Sequence, residues 1–110
     1  MTRSWRLTLH AEAALIDIAY WTIETFGARQ ADIYETQLIA RCEAIAAREI
    51  PGQDCAILAE GLRPGEMCFA RAGQHFVVYL DQPDEVVILD FLHGRVDLPR
   101  HLAALSGQGR

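Results

Sequence analysis

Alternation and helical recurrence of apolar positions divide this chain into successive elements. Trp5, Leu7 and Leu9 alternate with Arg6 and Thr8, the period-two pattern of a short half-buried strand. From Ala11 to Phe26 the period lengthens. Leu15, Ile18, Thr22 and Phe26 recur at helical spacing, while Asp17 and Glu24 lie on the opposite side. Gly27 supplies a stop. A second helix is predicted over 29–49, with Ala31, Tyr34, Leu38, Cys42 and Ile45 as its apolar stripe, ended by Pro51-Gly52. A linker this short between two helices folds them back as an antiparallel hairpin.

The segment 52–64 is rich in turn formers and is expected to be a loop. Beyond it, Met67, Phe69 and Arg71 face one way and Cys68 and Ala70 the other, and Gly73 marks a tight reversal. Phe76, Val78 and Leu80 alternate with His75, Val77 and Tyr79. After the Asp81-Gln82-Pro83-Asp84 turn, Val86 to Leu92 is apolar on both sides except for Asp90, as in a covered central strand. Asp97 is placed to cap a last short helix, with Pro99 in its first turn and Leu98, Leu102 and Leu105 on one face. Residues 106–110 are expected to fray. The predicted fold class is α+β: a short N-terminal strand, an antiparallel helical hairpin packed on one face of an antiparallel β-sheet, and a short C-terminal helix. The hairpin covers one face of the sheet, so the other is expected to stay open and to carry function.

A chain of 110 residues that is 51% hydrophobic supports one core, so residues 1–110 are expected to form one domain. No apolar run approaches the ~18 residues of a membrane span, and the start, Met1 to Arg6, lacks a signal peptide's apolar segment. A cytoplasmic location is expected. Cys42, Cys55 and Cys68 show no CxxC spacing and are expected to be reduced, buried thiols. His10, His75, His93 and His101 are scattered and no glycine-rich phosphate loop occurs, so neither metal nor cofactor is expected. The cations are all arginine, and the net charge is −5. That balance argues against broad electrostatic attraction to nucleic acid, while each guanidinium remains a planar fork suited to carboxylate or phosphate.

Several residues stand out against this background. His93, Arg95 and Asp97 would share one side of an extended segment, where Arg95 either clamps Asp97 or, with His93, meets a target. Arg63 and Arg71 either line the open sheet face or sit solvated at its edge, and His75 is either half-exposed or a proton carrier. Tyr20 and Trp21 lie with Asp17 and Glu24 on the polar side of the first helix, where aromatics mark either a contact surface or a deeply seated helix. Met67 and Phe69 belong either to the core or beneath a bound partner segment.

The order of these elements resembles a known family. Ala11-Glu12-Ala13-Ala14-Leu15 with Ile18 and Tyr20, then Gly27, Gln30-Ala31, Tyr34 and Leu38, follow the helices of the ParE/RelE toxin superfamily. Gly73-Gln74-His75-Phe76-Val77-Val78-Tyr79 resembles its central strand, and the run from Ile88 to Leu102 resembles its last strand and closing segment. The resemblance implies the toxin half of a type II toxin–antitoxin pair, bound and neutralised by a ParD-like antitoxin, for which Tyr20, Trp21, Met67 and Phe69 are the contact candidates. In the ParE branch the implied target is DNA gyrase, with Arg71, His93, Arg95 and Asp97 as target-binding candidates and no catalytic residues. In the RelE branch the implied activity is ribosome-dependent mRNA cleavage, for which the set would be Arg63, Arg71, His75, His93 and Arg95.

Cleavage of RNA calls for clustered cations and a proton-transfer group, which RelE-like enzymes supply with several Lys and Arg and often a C-terminal tyrosine. This chain has no lysine and no tyrosine after Tyr79, and its acidic charge opposes approach to the ribosome. The ParE branch is therefore expected. A non-toxic member that only binds antitoxin is the further alternative.

Overall fold

The computed structural model describes residues 3–59 and 61–105; the expected fraying of 106–110 lies outside the described residues. Strand β1 (Ser4–Leu7) leads into α1 (Leu9–Phe26) and α2 (Ala28–Ala46). Strand β2 (Gln53–Asp54), a 3₁₀ turn (Cys55–Ile57), β3 (Met67–Ala72), β4 (His75–Asp81), β5 (Glu85–His93) and α3 (Leu98–Leu105) follow.

β1 is shorter than its alternation suggests because Thr8 turns the chain. Its hydroxyl accepts from the Ala11 amide at 3.1 Å, an N-cap that converts Leu9 from the expected strand residue into the first, exposed residue of α1. Gly27, at φ 94°, is the only residue between the two helices, and its N–H donates to the Ile23 carbonyl. α2 ends at Ala46 rather than reaching Glu49. Arg48 takes a left-handed conformation (φ 62°), and the Arg48 and Glu49 amides close back on the Ile45 and Ala44 carbonyls as a Schellman motif.

The sheet runs β1-β5-β4-β3-β2. β2 to β5 pair antiparallel as neighbours, but β1 pairs parallel to β5, Trp5 opposite Val86 and Leu7 opposite Ile88. The helical hairpin between β1 and the meander allows this parallel return, and a strict meander reading of the sequence does not reveal it.

The alternation of β3 and β4 holds as predicted. Cys68, Ala70, Val77 and Tyr79 face the helices and meet Leu38, Cys42 and Ile45 of α2, with Leu15 and Ile18 of α1 at the margin. Met67, Phe69, Val78 and Leu80 face the other way. The open-face expectation fails there. Leu102 and Leu105 of α3, Cys55 of the 3₁₀ turn and Leu58 and Leu62 of the loop close a second core over Phe69, Val87 and Leu89. The C-terminal helix is legible in its caps and leucines; its seat across the second face is not, because nothing local fixes where it returns.

Arg3 ties the base of the hairpin to the sheet. Nearly buried, it donates to the Ala46 and Ile45 carbonyls at 3.3 and 3.0 Å, to the Gln82 carbonyl at 2.9 Å and to the Asp81 carboxylate. It thereby supplies a side-chain donor to the Ala46 carbonyl and a second donor to the Ile45 carbonyl, which already accepts from the Arg48 amide.

Candidate functional site

Among the described residues a cleft of about 780 Å³ opens where the tip of the hairpin overhangs the ends of β4 and β5. Its floor is built around Tyr34. The β3–β4 reversal passes beneath this ring, and a Cβ on Gly73 (φ 59°) would lie 2.7 Å from Tyr34 Cε1, so only glycine fits. The reversal hands its next groups to the phenol: the Gln74 amide donates to Tyr34 Oη at 3.0 Å, and Oη stands 2.6 Å from His75 Nδ1. The Ala72 carbonyl also lies within reach of the Tyr34 hydroxyl, at 3.4 Å.

His75 lies opposite His93 in the strand register, and their rings meet edge to face at 5.2 Å. Burial, reinforced by His93 and Arg71, pushes the His75 imidazole down to about 4, so it is neutral at physiological pH. Burial likewise raises the Tyr34 phenol against the opposing influence of the Gln74 amide and Arg71. His93 Nδ1 accepts from the Arg95 amide at 3.1 Å, which turns the chain out of β5.

The other wall is aromatic and belongs to α1. Trp21 and Phe26 are exposed and meet edge to face at 5.9 Å, with Thr22 behind them and Gln30 of α2 at the rim. Phe26, predicted for the buried stripe, is displaced from it because the helix ends there. The cleft therefore offers aromatic surface on one side and the Arg95 guanidinium, His93 and Gln74 on the other. That mixture suits a protein surface carrying both apolar and acidic or carbonyl groups.

The candidates from sequence are partly gathered here. His75, His93 and Arg95 share the cleft. Arg71 sits just beyond it, its Nε donating to the Gly73 carbonyl at 2.7 Å and its guanidinium 5.1 Å over the Phe76 ring. Arg63 belongs to the loop before β3 and does not line the cleft. The expected Arg95–Asp97 clamp is not formed: residues 94–95 turn rather than extend, and Asp97 instead caps α3, its Oδ1 accepting from the Arg100 amide at 3.4 Å. Tyr20 and Trp21 part company, Trp21 entering the cleft and Tyr20 standing on the outer face of α1. Met67 and Phe69 are buried in the second core, which removes them from the accessible surface available to an antitoxin in this conformation.

The sequence reading missed the part played by Tyr34, Gln30 and Gln74. The available signal was a tyrosine within an otherwise aliphatic stripe, since a buried phenol needs a polar partner. The three cysteines are buried and unpaired. Burial pushes Cys42 and Cys55 up to about 12 and Cys68 to about 11, which leaves them as inert thiols. Among the described residues no group of three or more His, Cys, Asp or Glu side chains could hold a metal ion, and no helix is long and apolar enough to cross a membrane.

Comparison with known proteins agrees with this architecture. A structure described as the chromosomal ParDE TA system from P. aeruginosa superposes with a TM-score of 0.65 at 16% identity, covering 84% of this chain and 96% of that one, which shows a shared fold. No curated protein sequence matches the chain. The family model for the ParE toxin of type II toxin–antitoxin systems, parDE, matches residues 5–98, from the first strand to the start of α3. The chain thus belongs to the ParE toxin family of type II toxin–antitoxin systems.

Proposed function

We propose that this toxin acts in the cytoplasm by binding DNA gyrase rather than by cutting RNA, with the hairpin-tip cleft as its grip, and that a ParD-like antitoxin neutralises it. The observation that carries the reading is the state of His75. A general base needs a ring that titrates near the working pH and reaches its substrate; this one is neutral, buried, and bonded through Nδ1 to Tyr34. Arg71 is spent on Gly73 and Phe76, which leaves Arg95 as the cation of the cleft lining. One guanidinium beside two aromatic rings serves protein recognition better than it stabilises a pentacoordinate phosphate. Membership of the ParE family supports gyrase as the target class.

The test is repressible expression in bacteria, followed by supercoiling assays with purified gyrase and by mapping mRNA ends in the same cells. Growth arrest with blocked supercoiling and intact messages is the expected result. The competing ribosome-dependent endoribonuclease draws on the meeting of His93 and Arg95 in the cleft. It requires cut messages, normal supercoiling and loss of cleavage in His93→Ala. Undisturbed growth despite folded protein would mark a member that only binds its antitoxin.

A further inference from the structure

α1 is apolar on both sides. Its inner side packs on the sheet through Ala11, Leu15 and Ile18, yet Leu9, Ile16, Tyr20 and Ile23, at helical spacing on the outer side, are 84, 56, 65 and 45% exposed. A helix apolar all round is ordinarily covered on both sides, and a contiguous exposed stripe of this kind marks an interaction surface. The charges beside the stripe choose the partner. Helical spacing puts Glu12 along one margin and Asp17 and Glu24 along the other, and α1 contains no lysine or arginine. Its single histidine, His10, is occupied with Asp90 at 3.0 Å. Among the described residues none of the three carboxylates has an ion-pair partner, and the neighbouring outer face of α2 adds Asp32, Glu35 and Glu43 around Ile39. A second copy of this chain would bring like charges together along the whole ridge, which disfavours self-association.

We propose that the outer face of α1 is the docking surface for a basic amphipathic helix, one whose apolar ridge is flanked by Arg or Lys. This rests on the toxin–antitoxin reading and sharpens it, because the partner segment of an acidic toxin must then be cationic. Two synthetic helical peptides with the same Leu/Ile ridge, one flanked by Arg and one by Glu, are titrated against the full-length protein by fluorescence anisotropy. The Arg-flanked peptide should bind at least about tenfold more tightly, lose that advantage as salt is raised, and lose binding by about tenfold in Ile16→Asp/Ile23→Asp. Both substituted positions are substantially exposed, and a thermal melt matching the parent confirms that the variant is folded. Equal binding of the two peptides, binding of neither, or a dimer that dissolves in Ile16→Asp overturns the proposal. In cells, a ParD-like antitoxin that still neutralises the double variant overturns this surface while leaving the toxin–antitoxin reading standing. If no such antitoxin neutralises the parent, the reading falls, and the peptides alone decide the surface.

Discussion

The two ends of the helical hairpin are built on opposite plans. At the base, where α2 ends, Arg3 gathers the Ile45 and Ala46 carbonyls, the Gln82 carbonyl and the Asp81 carboxylate, so that each polar group there is matched within the protein. At the tip, where Gly27 reverses the chain, Trp21, Phe26, Gln30 and Arg95 face solvent around a floor of Tyr34, His75 and His93. One end spends its chemistry on holding the fold. The other leaves aromatic, amide and guanidinium groups unpacked, the groups on which the proposed grip depends. On that contrast, substitutions at the base should cost stability and leave target binding intact, whereas substitutions at the rim of the cleft should do the reverse.

The largest effect on stability is expected from Arg3→Ala. It strands the Asp81 carboxylate and removes the donors on the end of α2, a loss of about 3–5 kcal/mol by analogy with breaking buried charged pairs, somewhat less because Asp81 is partly exposed. Urea unfolding measures this. Gyrase binding at a temperature where the variant remains folded should be unchanged, and a variant that unfolds little yet binds poorly would break the contrast between the two ends.

The next effect separates the floor of the cleft from its rim. His75 resists protonation in the folded state, down to about 4 against an ordinary 6.5. The unfolded chain therefore takes up a proton that the native ring refuses, and stability falls as pH drops from about 6.5 towards 4, by on the order of 2–3 kcal/mol, levelling off below. Asp90 is raised by its burial, with His10 opposing, so its titration acts in the opposite sense as pH falls. The difference between parent and His75→Gln isolates the histidine: the variant should lack this acid-side decline. Parallel curves would mean that His75 titrates normally and is free for proton transfer, which would reopen the endoribonuclease reading.

How much of this was legible in the sequence follows the range of the interactions. The strand alternation, the α2 stripe, the Gly27 and Gly73 reversals and the Asp97 cap are local patterns, and they survive with boundaries shifted by a few residues. Leu9 and Glu49 fall outside the elements expected for them because a threonine hydroxyl caps α1 and a left-handed arginine ends α2; the threonine is an N-cap signal that the strand alternation outweighs, whereas the arginine carries no such signal. The parallel pairing of β1, the Arg3 clamp and the covering of the second face by α3 depend on contacts between distant segments, on which periodicity is silent. The same holds for the site. His93 and Arg95 were singled out by proximity in the chain, but Tyr34 joined them only through the fold, and Met67 and Phe69 left the surface only because α3 closes over them.

Tyr34→Phe probes the join between floor and rim. It removes the hydroxyl that accepts from the Gln74 amide and pairs with His75 Nδ1, a part-buried network, so a loss of about 1 kcal/mol is expected. The ring remains to cover Gly73, and the β3–β4 reversal should keep its shape. Gyrase inhibition should weaken modestly, through a looser floor, and a complete loss would mean that the hydroxyl itself meets the target.

The smallest change in stability should accompany the largest change in function. Trp21 and Arg95 are exposed, and among the described residues the Arg95 side chain makes no hydrogen bond or ion pair, its amide alone being tied to His93. Removing either has little to undo in the free protein, so Trp21→Ala and Arg95→Ala should melt within about 0.5 kcal/mol of the parent. In a complex the same two side chains would lie at the centre of the buried patch, where a tryptophan or arginine commonly carries about 2 kcal/mol or more of binding. Each variant should therefore need roughly thirtyfold or more protein to inhibit supercoiling, the fold-change that about 2 kcal/mol represents. Arg95→Lys separates the two ways in which the cation could act. A lysine preserves the charge but not the planar fork, so full rescue means that charge alone steers the encounter, while continued failure means that the guanidinium makes a paired contact with a carboxylate or carbonyl on the target. If both alanine variants inhibit gyrase as well as the parent does, the grip lies elsewhere on the molecule, and the open end of the hairpin is unpacked for some other reason.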